Sequence, residues 1–393
     1  MIRHSLYLAW KYLAYHRLRT VTLVACITLI AVLPLSLELI LKESEHQLVA
    51  RAEATPLLFG ARGSALDLVM NSLYFSDEIP NTTTMAAVDE IAASGLAGPI
   101  PLYVRFRARG FPIVGTTLDY LDYRGLQLAK GNHFALLGEC VIGAEVAEKL
   151  GLDAGDHLLS SPETLFNIAG IYPLKMKIAG VLKPTNSADD LGVFTDVDTT
   201  MVIQGLSHGH EDLARTTDPT LIIERTDSSI RANAKLVEYT EITSDNIDSF
   251  HPHGDPADFP LTGIIALPHD EKSGTILRGR YINADDALQV VRPGDVIDTL
   301  MVNIFRIRNL IDAVVFTVGI ATLLALVLVF SLSLRLRQRE IDTALKLGCS
   351  RATIARLLGA EIMIILLFSA AVAVPLLILV SRFAQPIVRS LFM

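Results

Sequence analysis

Residues 313–334 read AVVFTVGIATLLALVLVFSLSL, and residues 362–381 read IMIILLFSAAVAVPLLILVS. Neither stretch, of 22 and 20 residues, contains a charged side chain. At a rise of about 1.5 Å per residue, a helix of either length crosses a hydrocarbon core of roughly 30 Å. The two stretches therefore predict a pair of membrane spans, which we place at 309–334 and 357–381.

A further apolar stretch lies near the N-terminus, at 20–41, interrupted by Pro34 and Glu38. The residues before it, 1–19, put apolar side chains near one helical side and basic ones on the others, as in a helix lying on the cytoplasmic membrane surface. A cleaved signal peptide is the alternative to a retained span. No small-x-small cleavage site follows the apolar run, so we expect a retained anchor and three spans in all.

Charge is divided unevenly along the chain, whose net charge is −8. Residues 42–308 hold 22 Lys/Arg against 37 Asp/Glu, a net −15, whereas the segments on either side are net basic. Short loops with an excess of Lys/Arg stay in the cytoplasm, so the basic loop 335–356 is expected in the cytosol. Residues 42–308 and the tail 382–393, which no fourth span follows, are then expected outside. The acidic middle argues against nucleic acid as a partner.

The middle segment, 42–308, reads as a mixed α/β extracytoplasmic domain. We expect stalk helices at its two ends, about 42–54 and 286–308. A β-rich insert is predicted at about 140–204, where short apolar runs alternate with Gly, Pro, Asn and Asp turn residues. Residues 56–290 are long enough for a core of their own, so we expect them to fold without the membrane.

The loop between the last two predicted spans reads RLRQREIDTALKLGCSRATIARLLGAE, residues 335–361. Ile341 and Leu345 lie on one helical face, Gly348 is a natural helix stop, and Ser350 is a natural cap for the next helix. A short amphipathic helix at the cytosolic membrane face suits the docking of a soluble protein. A tight turn with a solvated charged face is the alternative.

The same loop resembles the signature of ABC-transporter permeases of the MacB/FtsX type, with its Arg-x-x-Glu-Ile opening, Leu-Gly-x-Ser turn and downstream Glu. The resemblance implies that this segment is a coupling helix seated in a groove of an ATPase subunit. The implied ATPase-coupling residues are Arg339, Glu340, Ile341, Ala344, Leu345, Leu347, Gly348, Ser350 and Glu361.

The resemblance also implies a function: a membrane subunit that transmits ATPase motion to its external domain, to export or extract a lipoprotein, lipid, peptide or drug. No Walker A motif occurs in these 393 residues, so the subunit itself is not expected to be an enzyme or to hold a cofactor. ATP and Mg²⁺ would bind to a separate ABC ATPase, present in two copies.

Further partners and the cellular location are implied in the same way. We expect a homodimer or heterodimer of permeases in the bacterial inner membrane, multi-pass, with the large domain in the periplasm and with a periplasmic adaptor or hydrolase as a further partner. An FtsX-like regulator that activates an external hydrolase is the alternative function. A membrane sensor is a weaker one, because the cytosolic segments offer no output module.

Four arginines are candidates for contact with an anionic substrate. Arg105, Arg107 and Arg109 alternate along a predicted strand that begins near Tyr103, and Arg62 lies in a glycine-rich loop. A solvated strand face, whose arginines pair with carboxylates of the same domain, is the alternative.

Two histidine clusters are candidate metal sites: His208-Gly-His210-Glu-Asp212 and His251-Pro-His253-Gly-Asp255. Two imidazoles and nearby carboxylates can reach one metal ion. Neither cluster offers a third ligand at a defined spacing, so we expect flexible surface loops and no metal site. The sequence also contains no Gly-x-Ser-x-Gly elbow and no His-Glu-x-x-His helix, and we assign no catalytic residues.

Overall fold

The computed structural model of the chain describes residues 2–161, 173–209, 222–225, 230–232, 240–281, 287–336 and 338–392. The chain divides into two compact units. A helical unit comprises the residues up to His46 together with Leu300–Leu391, and a sheet-containing unit comprises Gln47–Thr299.

Helices occur in both units. In chain order, those of the described residues are α1 (Ile2–Tyr15), α2 (Arg17–Glu53), α3 (Ala65–Tyr74), α4 (Met85–Ala93), α5 (Leu118–Tyr123), α6 (Ala144–Leu150), α7 (Val197–Gln204), α8 (Glu271–Arg280), α9 (Pro293–Leu336), α10 (Gln338–Lys346) and α11 (Arg351–Phe392).

The strands all lie in the sheet-containing unit. Those of the described residues are β1 (Leu57–Ala61), β2 (Thr83–Thr84), β3 (Ala97–Ala108), β4 (Phe111–Thr116), β5 (Leu128–Gly131), β6 (Glu139–Ile142), β7 (His157–Leu159), β8 (Lys175–Leu182), β9 (Val193–Asp196), β10 (Ser207–Gly209), β11 (Ile222–Arg225), β12 (Ile230–Ala232), β13 (Phe250–Pro252), β14 (Pro260–Leu261), β15 (Gly263–Pro268) and β16 (Leu288–Val291).

Two helical stretches of the described residues are long and apolar enough to cross a membrane, Arg17–Ile40 in α2 and Arg351–Phe383 in α11. They coincide with two of the predicted spans. The remaining predicted span, 309–334, lies within α9, where many side chains are outside the described residues. The count of three spans therefore stays a prediction.

The helical unit has an apolar cluster of its own, which joins α1 and α2 to α11. Its buried members are Ala9, Leu13, Leu23, Ala360, Ile364 and Ile365. Trp10 of α1 stacks on Phe368 of α11 with ring centroids 5.5 Å apart. Thr28 of α2 donates from Oγ1 to the carbonyl of Ser369 at 3.4 Å. The N-terminal helix thus packs on a predicted membrane span.

The sheet-containing unit is built on one sheet, to which ten of the described strands belong. Its order is β16-β1-β15-β3-β4-β9-β6-β8-β5, and β7 pairs with β8 as well. Neighbouring strands are antiparallel except for the pairs β4–β9 and β6–β8, which are parallel. In register, Phe59 of β1 faces Ile264 of β15, which in turn faces Pro101 of β3.

Apolar side chains fill one continuous cluster along this sheet. Phe59, Tyr103, Ile113, Ile142 and Ile178 belong to it, and each is 0% exposed. Each fully buried aliphatic or aromatic side chain of this size contributes about 1.5–3 kcal/mol relative to exposure. The cluster is long enough to give the unit its own core, in agreement with the mixed α/β domain expected from the sequence.

Two predictions about this unit are corrected. The second stalk, predicted as helical over 286–308, begins with a strand: Leu288–Val291 forms β16 and pairs with β1. The helix starts only at Pro293, a residue that suits the first helical turn because its missing N–H is not needed there. The β-rich segment at about 140–204 contains the helices α6 and α7, and it is not a separate insert, because its strands continue the main sheet through the β4–β9 pair.

Two terminal predictions also change in detail. Residues 1–19, predicted as one helix, are divided at His16 between α1 and α2. The predicted tail at 382–393 continues α11 as a helix to Phe392. The first predicted stalk, 42–54, is the end of α2, which runs from Arg17 to Glu53.

Candidate functional site

The segment between α9 and α11 is a short helix with a defined end. Ile341 and Leu345 of α10 are four residues apart, so they share a helical face, and both are half-buried. Gly348 follows with φ +94°, a left-handed conformation that glycine adopts without a Cβ clash, and its N–H donates to the carbonyl of Leu345 at 3.0 Å. Ser350 Oγ then accepts from the N–H of Thr353 at 3.2 Å and caps α11.

An apolar edge of α10 is exposed in the single chain. Leu347, next to the glycine, is 81% exposed. Glu361, the last residue of the motif, lies farther along in α11 and is buried. The side chains of Arg339, Glu340 and Ala344 are outside the described residues. The structure thus places the predicted coupling residues on one short helix and the turn after it, except for Glu361 in α11, and their contact with an ATPase stays a prediction.

A second arrangement was not foreseen from the sequence: the end of α2 is fixed to the sheet-containing unit by a buried ion pair. The Arg51 guanidinium contacts the Asp189 carboxylate through two hydrogen bonds, Nη1 to Oδ2 at 2.6 Å and Nη2 to Oδ1 at 2.8 Å. Nη2 also donates to the hydroxyl of Tyr120 at 2.8 Å, and Nε donates to the carbonyl of Leu73. The guanidinium therefore makes the bidentate contact that is strongest between arginine and a carboxylate.

The charges of this pair are stabilised by each other. Burial by itself raises the pKa of Asp189, but the Arg51 charge and the hydrogen bonds from Arg51 and Tyr120 outweigh it and lower the pKa to about 2. Burial by itself lowers the pKa of Arg51, and the Asp189 charge more than offsets that, so the pKa is raised. Burial also raises the pKa of Tyr120, whose hydroxyl donates to Asp189 Oδ1 at 2.8 Å. Both members of the pair are therefore ionised at neutral pH.

Three further contacts fix the same helix end within this unit. Tyr74 donates its hydroxyl proton to the carbonyl of Leu48, and Tyr123 donates to the carbonyl of Ala54 at 2.6 Å. Arg124 Nη2 donates to Thr55 Oγ1 at 2.9 Å. These bonds tie the last turns of α2 and the two residues after it to α3, to α5 and to the residue that follows α5.

The sequence carried only a weak signal for this contact. Leu48, Arg51 and Ala52 recur at helical spacing and are all buried, but an arginine in a charged helix ordinarily points to solvent. Asp189 lies in a segment, NSADDLGVF, that reads as a turn. In the structure Ser187 Oγ accepts from the N–H of Asp189 at 3.2 Å and donates to its Oδ2 at 3.0 Å, which orients the carboxylate.

The four candidate substrate arginines do not converge on one place. Arg107 forms an ion pair with Asp77 and donates to the carbonyl of Gly110 at 2.7 Å. Arg109 follows the strand, in the turn between β3 and β4, with φ 50°. Arg62 Nη2 donates to the carbonyl of Leu288 at 3.4 Å.

Strand order explains the separation of these arginines. Arg62 follows β1, and β15 lies between β1 and β3. Arg105, within β3, is half-buried. Tyr103 is not on the exposed face that strand alternation predicts, because it is 0% exposed and donates its hydroxyl proton to Gln204 Oε1 at 2.7 Å. The structure therefore gives no common anion site for these side chains, and substrate contact by any of them stays a prediction.

Residues 46–236 match the family model of the MacB-like periplasmic core domain. The resemblance stated from the coupling-loop motif is thus confirmed by an independent part of the chain. No curated protein matches the chain significantly.

Three solved structures are similar to part of the chain. The extracellular domain of the noncanonic ABC-type transporter YknZ from Gram-positive bacteria is 13% identical, with a TM-score of 0.33, over 60% of this chain and 98% of that one. The periplasmic region of MacB from Actinobacillus actinomycetemcomitans is 12% identical, with a TM-score of 0.34, over 62% and 92%. A domain of a putative permease from Porphyromonas gingivalis is 12% identical, with a TM-score of 0.25, over 60% and 85%. All three TM-scores are below 0.5, so the family assignment rests on the sequence match.

Proposed function

This chain carries the MacB-like periplasmic core domain of the MacB/FtsX-type ABC permeases, and we propose that it is the membrane subunit of an ATP-driven complex that moves this domain to export or extract a substrate. In this proposal a separate ABC ATPase binds ATP and Mg²⁺, and the present chain performs no chemistry. Its work is mechanical: a displacement produced at the cytosolic face is delivered to the periplasmic domain.

One observation carries the proposal: helix α2 is continuous from a membrane-span candidate to a buried anchor. It runs from Arg17 to Glu53, and its first 24 residues, Arg17–Ile40, have the length and apolarity of a span. Near its other end, Arg51 is fixed by Asp189, Tyr120 and the carbonyl of Leu73. These bonds prevent the end of α2 from rotating or sliding within the sheet-containing unit. A tilt or shift of α2 would therefore move that unit.

The strength of the anchor supports this role. A guanidinium bonded at three of its nitrogens has little freedom to rotate, and the pair is shielded from water that could compete for its hydrogen bonds. Leu48, Arg51, Ala52 and Thr55 are all buried, so the last turns of α2 are firmly held within the sheet-containing unit.

The cytosolic input is proposed to be α10 with the turn at Gly348. Its exposed Leu347 and half-buried Ile341 and Leu345 would lie in a groove of the ATPase, as the family resemblance implies. Because α11 starts directly after the Ser350 cap, a push on α10 would reach the apolar helix that follows without an intervening flexible loop.

The remaining assignments follow from the same family. We propose three spans, a multi-pass location in the bacterial inner membrane, and a dimer of permeases with two ATPase copies. The substrate class stays open among lipoprotein, lipid, peptide and drug, and a periplasmic adaptor or an activated hydrolase is a further proposed partner.

The proposal is tested by isolating the chain from its own cells in a mild detergent and identifying what is bound. An ABC-type ATPase whose ATP turnover changes on reconstitution with the permease is the expected finding. A periplasmic adaptor in the same preparation favours export, whereas a hydrolase favours the regulator alternative. A chain that binds no ATPase under conditions that keep it folded contradicts the proposal.

A further inference from the structure

Three histidines from two distant parts of the sequence meet at one edge of the sheet-containing unit. Strands β10 and β13 pair antiparallel, and the register sets His208 directly opposite His251. His253 follows β13, and its backbone N–H donates to the carbonyl of Leu206, which continues the same strand pairing by one residue. One ring nitrogen of each histidine lies within 4.8 Å of those of the other two.

The rings are arranged so that their nitrogens converge. His253 Nε2 and His208 Nε2 are 3.2 Å apart, and the two rings stack with centroids 4.3 Å apart. Two nitrogens bound to one tetrahedral zinc ion, at about 2.0–2.1 Å each, are separated by roughly 3.3 Å. The closest pair therefore already has the separation that a shared metal ion requires.

The protonation of His251 is set by a backbone group. Its Nδ1 lies 2.9 Å from the carbonyl of Ser249, and a carbonyl only accepts, so Nδ1 carries the proton. Nε2 of the same ring then holds a lone pair for a ligand. A metal-binding histidine ordinarily donates its other ring nitrogen to a carbonyl or carboxylate in this way, which orients the ring.

From this arrangement we propose that His208, His251 and His253 form a binding site for a divalent metal ion of the zinc class. Three neutral imidazoles with no thiolate suit Zn²⁺ and also Cu²⁺ or Ni²⁺, whereas Mg²⁺ and Ca²⁺ prefer oxygen ligands. Three protein ligands leave the fourth position of a tetrahedral ion for water or for a group from another molecule. The site does not depend on the proposed transport function.

The sequence could not show this site because its ligands come from two separate segments. Each segment alone offers two neighbouring histidines, and the pairing of β10 with β13 supplies the third ligand. Asp255, which stood in the second cluster, is not a member: its Oδ1 accepts from the N–H of Ala257 at 3.0 Å. His210 and Asp212 lie outside the described residues.

A metal ion bound to these three histidines would hold β10 and β13 together. The two strands are three residues long each and pair only with each other among the described strands. Such a short pair is weak by itself. A metal ion that binds only the folded arrangement stabilises it by mass action, in proportion to the logarithm of the metal concentration.

The test uses the full chain in detergent, without a polyhistidine tag and freed of metal by a chelator. Zn²⁺ is titrated against a chromophoric competitor, and Co²⁺ is added separately because tetrahedral cobalt has strong visible bands. We expect one Zn²⁺ per chain, the cobalt bands, and a rise in melting temperature on zinc addition. His208→Gln and His253→Gln should each weaken zinc binding by at least about tenfold, the lower range for lost outer-shell partners of a metal site.

His133→Gln is the matched control, because His133 is an exposed histidine elsewhere in the same unit. This variant should bind zinc and cobalt as the wild type does. Metal-free variants should melt at the temperature of the metal-free wild type, which separates loss of metal from loss of fold. Wild-type protein that binds no zinc, or zinc binding that is unchanged in both His208→Gln and His253→Gln, overturns the proposal and leaves the His208–His253 contact as a hydrogen bond between neutral rings.

Discussion

Arg51 and Asp189, 138 residues apart in sequence, face each other in a bidentate ion pair with N–O distances of 2.6 and 2.8 Å. Their side chains are only 8% and 3% exposed. Arg51 lies two residues before the end of α2, and Asp189 lies in the turn before β9. The pair therefore joins the last turn of α2 to the turn before β9 within the sheet-containing unit.

The first prediction concerns the cost of breaking this pair. Asp189→Asn keeps the side-chain shape but leaves the Arg51 charge buried without a counter-charge, and Arg51→Met leaves the Asp189 carboxylate alone. Removing one partner of a buried ion pair costs about 3–5 kcal/mol, so each variant should lower the free energy of unfolding by that order.

Unfolding can be followed through Cys140, which is buried, whereas Cys26 and Cys349 are exposed and can be replaced beforehand. Burial raises the pKa of the Cys140 thiol to about 12, so the folded domain should protect it from alkylation. Lys130→Gln is the control, since the Lys130–Asp153 pair at 2.5 Å is exposed and should contribute little. Equal urea midpoints for Asp189→Asn and Lys130→Gln would show that the buried pair does not hold the domain.

The second prediction is a dependence of stability on acid pH. The pKa of Asp189 is lowered from 3.8 to about 2 in the folded protein, so the unfolded state takes up the proton first as the pH falls. The contribution of this carboxylate is complete above about pH 4 and is lost between there and about pH 2. Urea unfolding of the wild type, followed by circular dichroism because a protonated thiol does not react in acid, should show this loss, and Asp189→Asn should lack the corresponding part of the slope. Identical slopes in the two proteins would contradict the assignment.

Much of the organisation could be predicted from the sequence because it depends on residues that are close together in the chain. Uncharged apolar stretches indicate spans, and two of the three predicted ones meet the same criteria in the described helices. The turn at Gly348 and the cap at Ser350 follow from residue type alone. The family was predicted from a motif in the coupling loop and is confirmed by a match over residues 46–236, which is a different part of the chain.

What the sequence did not reveal depends on contacts between distant segments. Arg51 binds Asp189 across 138 residues, and no local pattern distinguishes it from the exposed arginines of other helices. His208 meets His251 because two three-residue strands pair. Leu288–Val291 is a strand and not part of the predicted stalk helix, because it pairs with the edge of β1.

The third prediction concerns which fragment folds without the membrane. The sequence suggested residues 56–290, but a fragment that begins at residue 56 lacks Arg51 and leaves Asp189 unpaired in the core. The structural unit is Gln47–Thr299. We expect a fragment of residues 47–299, secreted to the periplasm, to be soluble and to melt cooperatively, and one of residues 56–299 to melt at a clearly lower temperature. Equal melting temperatures would show that the end of α2 adds nothing to the domain.

The fourth prediction concerns the turn of the coupling loop. Gly348 has φ +94°, a conformation that costs an L-residue with a side chain about 1–2 kcal/mol, although there is free space around it. Gly348→Val should therefore shift or fray the end of α10 and weaken ATPase binding. Gly359→Ala is the control: this glycine lies within α11, also with nothing near its Cβ position, and alanine favours a helix. ATPase retention on an affinity column is the measurement, and equal retention of the two variants would contradict the role of the turn.

The proposed function is tested most directly by measuring ATPase binding to a permease with a charge on the apolar face of α10. Leu345 is half-buried on that face, and Thr343, two residues away and on the opposite side of the helix, is exposed. Burying a leucine side chain in a partner contributes about 1.5–3 kcal/mol, which corresponds to roughly a tenfold to hundredfold change in affinity, and a buried aspartate would add a penalty. Leu345→Asp should therefore release the ABC ATPase during co-purification, with Cys140 still protected and the chain still in the membrane, whereas Thr343→Asp should retain it. A Leu345→Asp permease that holds the ATPase as firmly as the wild type, or a wild-type permease that holds none, would contradict the claim that this chain transmits ATPase motion.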